Sequence, residues 1–216
     1  MSLIDLWDAI LVGTIITTGV KPQEKKLPEL WLWALAVPEE KEWKGAENKR
    51  IHAAAMLLGK NHIPWISISG LRSARRAAEI IMWAQHQTLM HVLPRAPGEP
   101  LSMGIPIAVD SGLRPRERGE ELAKAAERGF LAIQAAARTV WKTSNTHYSS
   151  RGPVVIADPG LIRAVIARIQ GKPLVRGTID DIPQEAGCID SFVYYPYGEH
   201  LDVAQTNYLP ISARGF

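Results

Sequence analysis

The chain has 216 residues, 46% of them hydrophobic and 22% charged. That is an ordinary globular balance, long enough for one large domain with its own core. The net charge is +3 and the pI near 9.0, with no Lys/Arg block of the kind a nucleic-acid surface needs, so no nucleic-acid partner is expected. A single cysteine, Cys188, excludes an internal disulfide framework and a thiolate zinc cluster. It fits a reducing, cytoplasmic setting. The first residues, Met-Ser-Leu-Ile-Asp-Leu-Trp-Asp, place two acids among apolar residues and lack a basic n-region, so neither a signal peptide nor a membrane span is expected.

Residues 9–12, Ala-Ile-Leu-Val, read as a buried first strand, followed by a β-branched segment from Thr14 to Thr18 that closes at Gly19. Residues 21–44 read as irregular, punctuated by Pro22, Pro28 and Pro38. Trp31, Trp33 and Trp43 cluster in this stretch; large aromatics mainly bury area, which predicts core or a covered sheet edge rather than a pocket. Residues 46–59 read as a helix with Ile51, Ala54, Ala55 and Leu58 on one stripe and Gly59 as its stop. A second strand is expected over 64–68, a helix over 72–85, a Pro/Gly-rich loop over 92–104 and a third strand over 105–109.

The clearest helix covers 117–141. Leu122, Ala126, Phe130, Ile133, Ala137 and Val140 recur there at intervals of three or four. A polar loop through His147 leads to a strand at 154–156. Asp158-Pro159 then makes a helix start, with Asp as N-cap and Pro at the first helical position, and Gly171 ends that helix. Residues 191–195 and 200–204 read as a hairpin around Pro196-Tyr-Gly-Glu. Strands alternating with helices predict one domain over residues 1–216. The expected architecture is a three-layer α/β/α sandwich with a mostly parallel central sheet and a C-terminal hairpin at its edge.

Two strand–turn–helix stretches carry a resemblance. Ser69-Gly-Leu-Arg-Ser-Ala-Arg-Arg-Ala-Ala-Glu79 resembles the Ser-Pro-Leu-x-Arg-Ala-x-x-Thr-Ala-Glu signature of the histidine phosphatase (phosphoglycerate-mutase-like) superfamily. Ile156-Ala-Asp-Pro-Gly-Leu-Ile-Arg163 resembles its Val-Ser-His-Gly-Gly-x-Ile-Arg. Gln205-Thr-Asn-Tyr-Leu209 is similar to its terminal Asn-x-x-His-Leu, without the His. The family's first strand ends in Leu-Val-Arg-His-Gly-Glu-Thr, matched here to residues 11–17. In that family the first His is phosphorylated and two Arg residues bind the phosphate. The resemblance implies that Gly13 and Ser73 stand at the two phosphate-binding Arg positions, Thr14 at the nucleophilic His and Asp158 at the second His. The family's acid has no clean counterpart; Asp110 and Glu117 are the candidates.

These replacements bear directly on chemistry. Phosphoryl transfer needs positive groups on the equatorial oxygens and a placed nucleophile. Gly13, Thr14, Ser73 and Asp158 supply neither. A helix N-terminus attracts anions, but an Asp in the cap takes up its donors, and like charges about 4 Å apart repel by roughly 1–4 kcal/mol. The expected protein is a catalytically degenerate binding or assembly module. Its ancestral phosphate pocket is lost, or retuned to a small molecule bordered by Gly13, Thr14, Thr17, Arg72, Ser73, Arg75 and Asp158. The alternative is an enzyme with a new, non-phosphatase reaction in the same pocket, using Asp158 as acid/base. An open cavity bordered by Asp158 favours the enzyme; a pocket filled by Ile15, Ile16 or a tryptophan favours the binding protein. No cofactor and no metal are expected, and a homo-oligomer is compatible with the composition. The segment Tyr194–Asp202 also loosely resembles the last motif of zinc D-Ala-D-Ala-type peptidases, with His147 as a second candidate ligand, but the His-x-x-Gly-x-Ala-x-Asp spacing is absent around His147.

Overall fold

The computed structural model describes residues 29–38, 45–61, 63–92, 105–143 and 151–210. In chain order these form β1 (Leu30–Ala36), α1 (Gly45–Gly59), β2 (Ile66–Ile68), α2 (Arg72–Val92), β3 (Ile107–Val109), a 3-10 turn (Ser111–Leu113), α3 (Leu122–Thr143), β4 (Arg151–Ala157), α4 (Pro159–Ile169), α5 (Arg176–Asp180), β5 (Ile189–Tyr195) and β6 (His200–Tyr208). The strands make one sheet in the order β3-β2-β4-β1-β5-β6. The first four run parallel to one another; β5 is antiparallel to β1, and β6 to β5. The expected mostly parallel sheet with a terminal hairpin at its edge is present, and Ile68 and Ile156 are register partners.

The reading of 21–44 as irregular is corrected by β1. The run Leu-Trp-Leu-Trp-Ala-Leu-Ala shows no alternation of apolar and polar residues because both faces of this strand are covered, and such strands read as continuous apolar runs. Leu30, Leu32, Ala34 and Ala36 pack against α3 and α4. Trp33, Leu35 and Val37 pack against α1 and α2. Pro28 and Pro38 bracket the strand rather than interrupt it. Trp33 is core, as expected of a large aromatic; Trp31 is half-buried, and Trp43 lies outside the described residues. So do residues 9–12 and the segment from Thr14 to Thr18.

The two helical layers follow from period and capping. Ile51, Ala54, Ala55 and Leu58 of α1 meet Ala74, Ala77, Ala78 and Ile81 of α2 over one face of the sheet. Ala126, Ile133 and Ala137 of α3 meet Leu161, Ile162 and Val165 of α4 over the other. The hairpin is tied to the second layer at its turn. Glu199 there has a positive φ of 47°, its carbonyl accepts from Gln134 Nε2 at 2.5 Å, and its carboxylate pairs with Arg138 at 2.8 Å.

β4 is joined to β1 through a site where only glycine fits. The register between the two strands shifts between Trp31 and Trp33, and a Cβ on Gly152 would overlap the Trp31 carbonyl oxygen, which is backbone and cannot rotate away. Gly152→Ala is therefore expected to cost at least about 2 kcal/mol of stability, toward the upper end of overpacking losses, read as a lowered midpoint in urea unfolding. An unchanged midpoint would show that β1 and β4 do not approach there.

Candidate functional site

The parallel strands all end on one edge of the sheet, where ligands bind by default in such folds. β1 ends in Ala36-Val37-Pro38, and this end is pinned on both sides. Ala36 N–H donates to the Cys188 carbonyl at 3.0 Å, Ala36 O accepts from Gly187 N–H at 2.8 Å, and Val37 N–H donates to Ala157 O at 2.9 Å. β2 ends at Ser69, whose N–H donates to Ile156 O at 3.0 Å. The Ser69 hydroxyl is fully buried and has no hydrogen-bond partner among the described residues. Ser73, in the first turn of α2, is buried, and its hydroxyl donates to Pro38 O at 2.9 Å.

Asp158 follows β4 and caps α4. Its Oδ1 accepts from Gly160 N–H at 2.8 Å and from Leu161 N–H at 3.4 Å, with Pro159 at the first helical position. Asp110 follows β3; its N–H donates to Ile68 O at 2.9 Å, and its Oδ1 accepts from Gly112 N–H at 2.7 Å, capping the 3-10 turn. Ser73, Asp110 and Asp158 thus stand at the ends of three neighbouring strands, each holding local backbone. Arg72 and Arg75 are exposed on α2. Gly13, Thr14 and Thr17 lie outside the described residues. The strand beside β4 is β1, whose end, residues 34–38, carries no arginine, histidine or hydroxyl; the segment 11–17 matched to the first signature lies outside the described residues.

A buried polar cluster that sequence reasoning missed lies beside the end of β1. Asp190 on β5 is fully buried and opposite Ala34. It accepts from Gln184 Nε2 at 2.6 Å and from Asn207 N–H at 2.8 Å. Burial pushes its carboxyl up to about 6, although both hydrogen bonds favour the charged form. Cys188 donates its S–H to Asn207 Oδ1 at 2.7 Å, and burial raises its thiol to about 11, so it is an inert core thiol. Asn207 has φ 55°, a left-handed conformation that asparagine tolerates. The only signal in the sequence was Asn207 itself, within the family-like Gln205–Leu209 segment.

A cleft of about 390 Å³ opens where α3, α4 and α5 converge, with Asp158 on its rim. The buried Leu161 and Ile179 lie behind it, and Arg116, Arg163, Arg176 and Asp180 line it with charge. Arg163 Nη2 donates to Gln184 O at 2.7 Å, which links the cleft wall to the loop carrying the Asp190 partner. Arg176 Nε lies 3.6 Å from Asp180 Oδ2. The loop that carries Arg116 is held by a clamp on α3. Arg128 donates to Gly112 O at 2.7 Å and Arg114 O at 3.0 Å, and forks onto both carboxylate oxygens of Glu120 at 3.1 and 3.0 Å. The Arg128 hydrogen bond and charge hold the Glu120 carboxyl below its ordinary range. The described residues contain no group of three metal-ligating side chains. His200 Nε2 instead meets Asp202 at 2.7 Å, and His147 lies outside the described residues. No helix among the described residues is long and apolar enough to cross a membrane.

No protein-family model matches the sequence, and neither does any curated protein. Solved structures do match its fold. The chain superposes on mycobacterial hydrolase 1 with a TM-score of 0.59 at 14% identity, covering 86% of this chain and all 100% of that one. It superposes on a mycobacterial glucosyl-3-phosphoglycerate phosphatase, Rv2419c, bound to VO3, with a TM-score of 0.57 at 15% identity over 83% of this chain and 99% of that one. For Bacillus stearothermophilus YhfR the TM-score is 0.54 at 16% identity, over 81% of this chain and 95% of that one. The chain has the histidine phosphatase fold. Within that fold, the edge where the strands end is where Asp158, Ser73 and the end of β1 meet.

Two outcomes test this geometry. Asp158→Asn is expected to leave stability nearly unchanged, since Asn caps as well as Asp, while Asp158→Ala should cost about 0.5–2 kcal/mol by thermal or chemical unfolding. An Asn variant clearly more stable than wild type near neutral pH would mean that the carboxylate is strained rather than capping. Asp190 generates a pH dependence. Its folded pKa is about 6 against an ordinary 3.8, so its contribution is complete below about pH 4 and is lost as pH rises through 6, when the fold must ionise a buried carboxylate. Wild-type stability should therefore fall by about 1–3 kcal/mol relative to Asp190→Asn between pH 4 and pH 7. Parallel pH profiles for the two proteins would contradict the assignment.

Proposed function

We propose that this chain is a catalytically degenerate protein of the histidine phosphatase fold that binds a small molecule instead of turning over a phosphate ester. The observation that carries the reading is Asp158. The α4 N-terminus would be the natural seat for a phosphate, and a carboxylate of the chain itself already accepts its Gly160 and Leu161 N–H groups. The other two strand ends support it. Ser73 gives its hydrogen bond to Pro38 O, and Ala36 and Val37 at the end of β1 offer neither charge nor nucleophile. A phosphoryl group there would meet negative charge at one wall and no compensating cation among the described residues of β1 and β2.

The expected result is no hydrolysis of p-nitrophenyl phosphate or phosphoglycerate above buffer, and no binding of inorganic phosphate that depends on Asp158. Hydrolysis that tracks with the purified protein and disappears in Ser73→Ala would overturn the reading.

One observation favours the second reading, an enzyme with a new reaction: the cleft is open, and Asp158 borders it. Against it stands the cap itself, since the Oδ1 of Asp158 already holds two backbone N–H groups and a general base must reach the proton it takes. If a turnover is found on any substrate, Asp158→Asn separates the two. Loss of turnover with stability unchanged would make Asp158 an acid/base, and retained turnover would leave it a cap.

A further inference from the structure

The loop from Gln184 to Cys188 is fastened to four elements at the carboxyl edge of the sheet. Its Gln184 carbonyl accepts from Arg163 Nη2 of α4 at 2.7 Å, and Glu185 pairs with Arg50 of α1. Asn207 of β6 takes Glu185 N–H at 3.2 Å and Cys188 S–H at 2.7 Å on its Oδ1. The end of β1 is held through Ala36, by Cys188 O and Gly187 N–H. Directional bonds do most of this, since Pro183 and Glu185 are exposed and Ala186 is only half-buried. A segment held by such bonds with little apolar burial is where a fold opens locally, below the cost of global unfolding.

Asp190 ties the loop to β6 from beneath. One oxygen takes Asn207 N–H and the other takes Gln184 Nε2. No cation pairs with it among the described residues. The charged groups around it are spent elsewhere, Arg163 on the Gln184 carbonyl and Arg50 on Glu185. Its titratable neighbours are Cys188 in the loop and Tyr208 on β6, while β1 opposes it with Ala34. Two neutral donors do not offset the loss of water, and burial keeps the carboxyl at about 6. The Gln184 amide also carries a buried oxygen, Oε1, without a partner, an acceptor that suits a protonated carboxyl better than an ionised one.

We propose that Asp190 makes the Gln184–Cys188 loop a pH-sensitive clasp, closed over a protonated carboxyl and loosened by its ionisation, which frees the end of β1 and Arg163 of the cleft wall while the rest of the chain stays folded. Opening returns the carboxyl to water and toward its ordinary 3.8, so opening is suppressed below about pH 4 and favoured as pH rises through 6. Such a clasp works the same whether the chain binds a small molecule or transforms one.

Cys188 is the one cysteine of the chain and is buried in the clasp, so its rate of reaction with a soluble pyridyl disulfide reads clasp opening. Wild type and Asp190→Asn are compared in the full chain at each pH, which cancels the thiol's own titration. The wild-type rate relative to the variant is expected to rise about tenfold between about pH 5 and pH 7.5. Low urea should leave the wild-type rate unchanged, because a local opening exposes little surface. Relative to the same variant, amide exchange should quicken with pH at Ala36, which is bonded to Cys188, and not at Val37, which is bonded to β4. Where Asp190→Asn does not fold by circular dichroism, Gln184→Leu takes its place. It removes one donor to the carboxylate and should label faster than wild type by a larger factor at about pH 7.5 than at about pH 5. A rate ratio that is flat in pH, or labelling that climbs with urea as steeply as global unfolding does, would overturn the proposal.

Discussion

Everything at the site hangs on the placement of β1. It pairs with β4 on one side and β5 on the other, and is apolar on both faces. A strand in that position has no solvent-facing side to absorb error, because a one-residue slip would move every side chain into the other layer. Its carboxyl end is held as firmly as its middle. Ala36 bonds through both N–H and carbonyl to the loop before β5, and Val37 bonds to the end of β4. Gly187, at φ 83°, gives its N–H to the Ala36 carbonyl, and a Cβ there would collide with the Arg50–Ile51 backbone. A reacting group at the end of β1 would need side chains that reach outward. Ala36 and Val37 are instead buried in the two cores.

The second constraint is electrostatic. A helix starting at the edge of a parallel sheet concentrates unsatisfied N–H groups where substrates of α/β proteins sit. That positive end needs an acceptor, and the chain can supply one itself or leave it to a ligand. Here it supplies one, at α4 through Asp158 and at the 3-10 turn through Asp110. Both choices add local stability, and both fill N–H groups that an anion would otherwise take. The Ser73 hydroxyl adds a third such commitment by tying α2 to Pro38.

The sequence revealed the fold more fully than it revealed the site. Helices with a clear apolar stripe were legible, as was Asp158-Pro159, because capping is local chemistry encoded in two adjacent residues. β1 was not legible. A strand buried on both faces loses the alternation that marks a strand, and flanking prolines drew attention to the ends instead of the run between them. The buried Asp190 could not be found from sequence at all: an aspartate between Ile189 and Ser191 looks like any strand residue until Gln184 and Asn207 are brought to it from elsewhere in the chain.

The loop after β3 is ordered by a single arginine of α3. The loop from Asp110 to Glu120 has little apolar surface with which to hold itself, apart from Leu113 in the core. Arg128 replaces packing with directional bonds, reaching from α3 to two loop carbonyls and to both oxygens of Glu120. Such a partly buried, bidentate arrangement is far better defined than an ordinary surface ion pair. The charges of Arg114 and Arg116 act on the same carboxylate, so one partly buried Glu120 faces three guanidiniums. On the α4 side of the cleft, Asp158 gives its carboxylate to the helix.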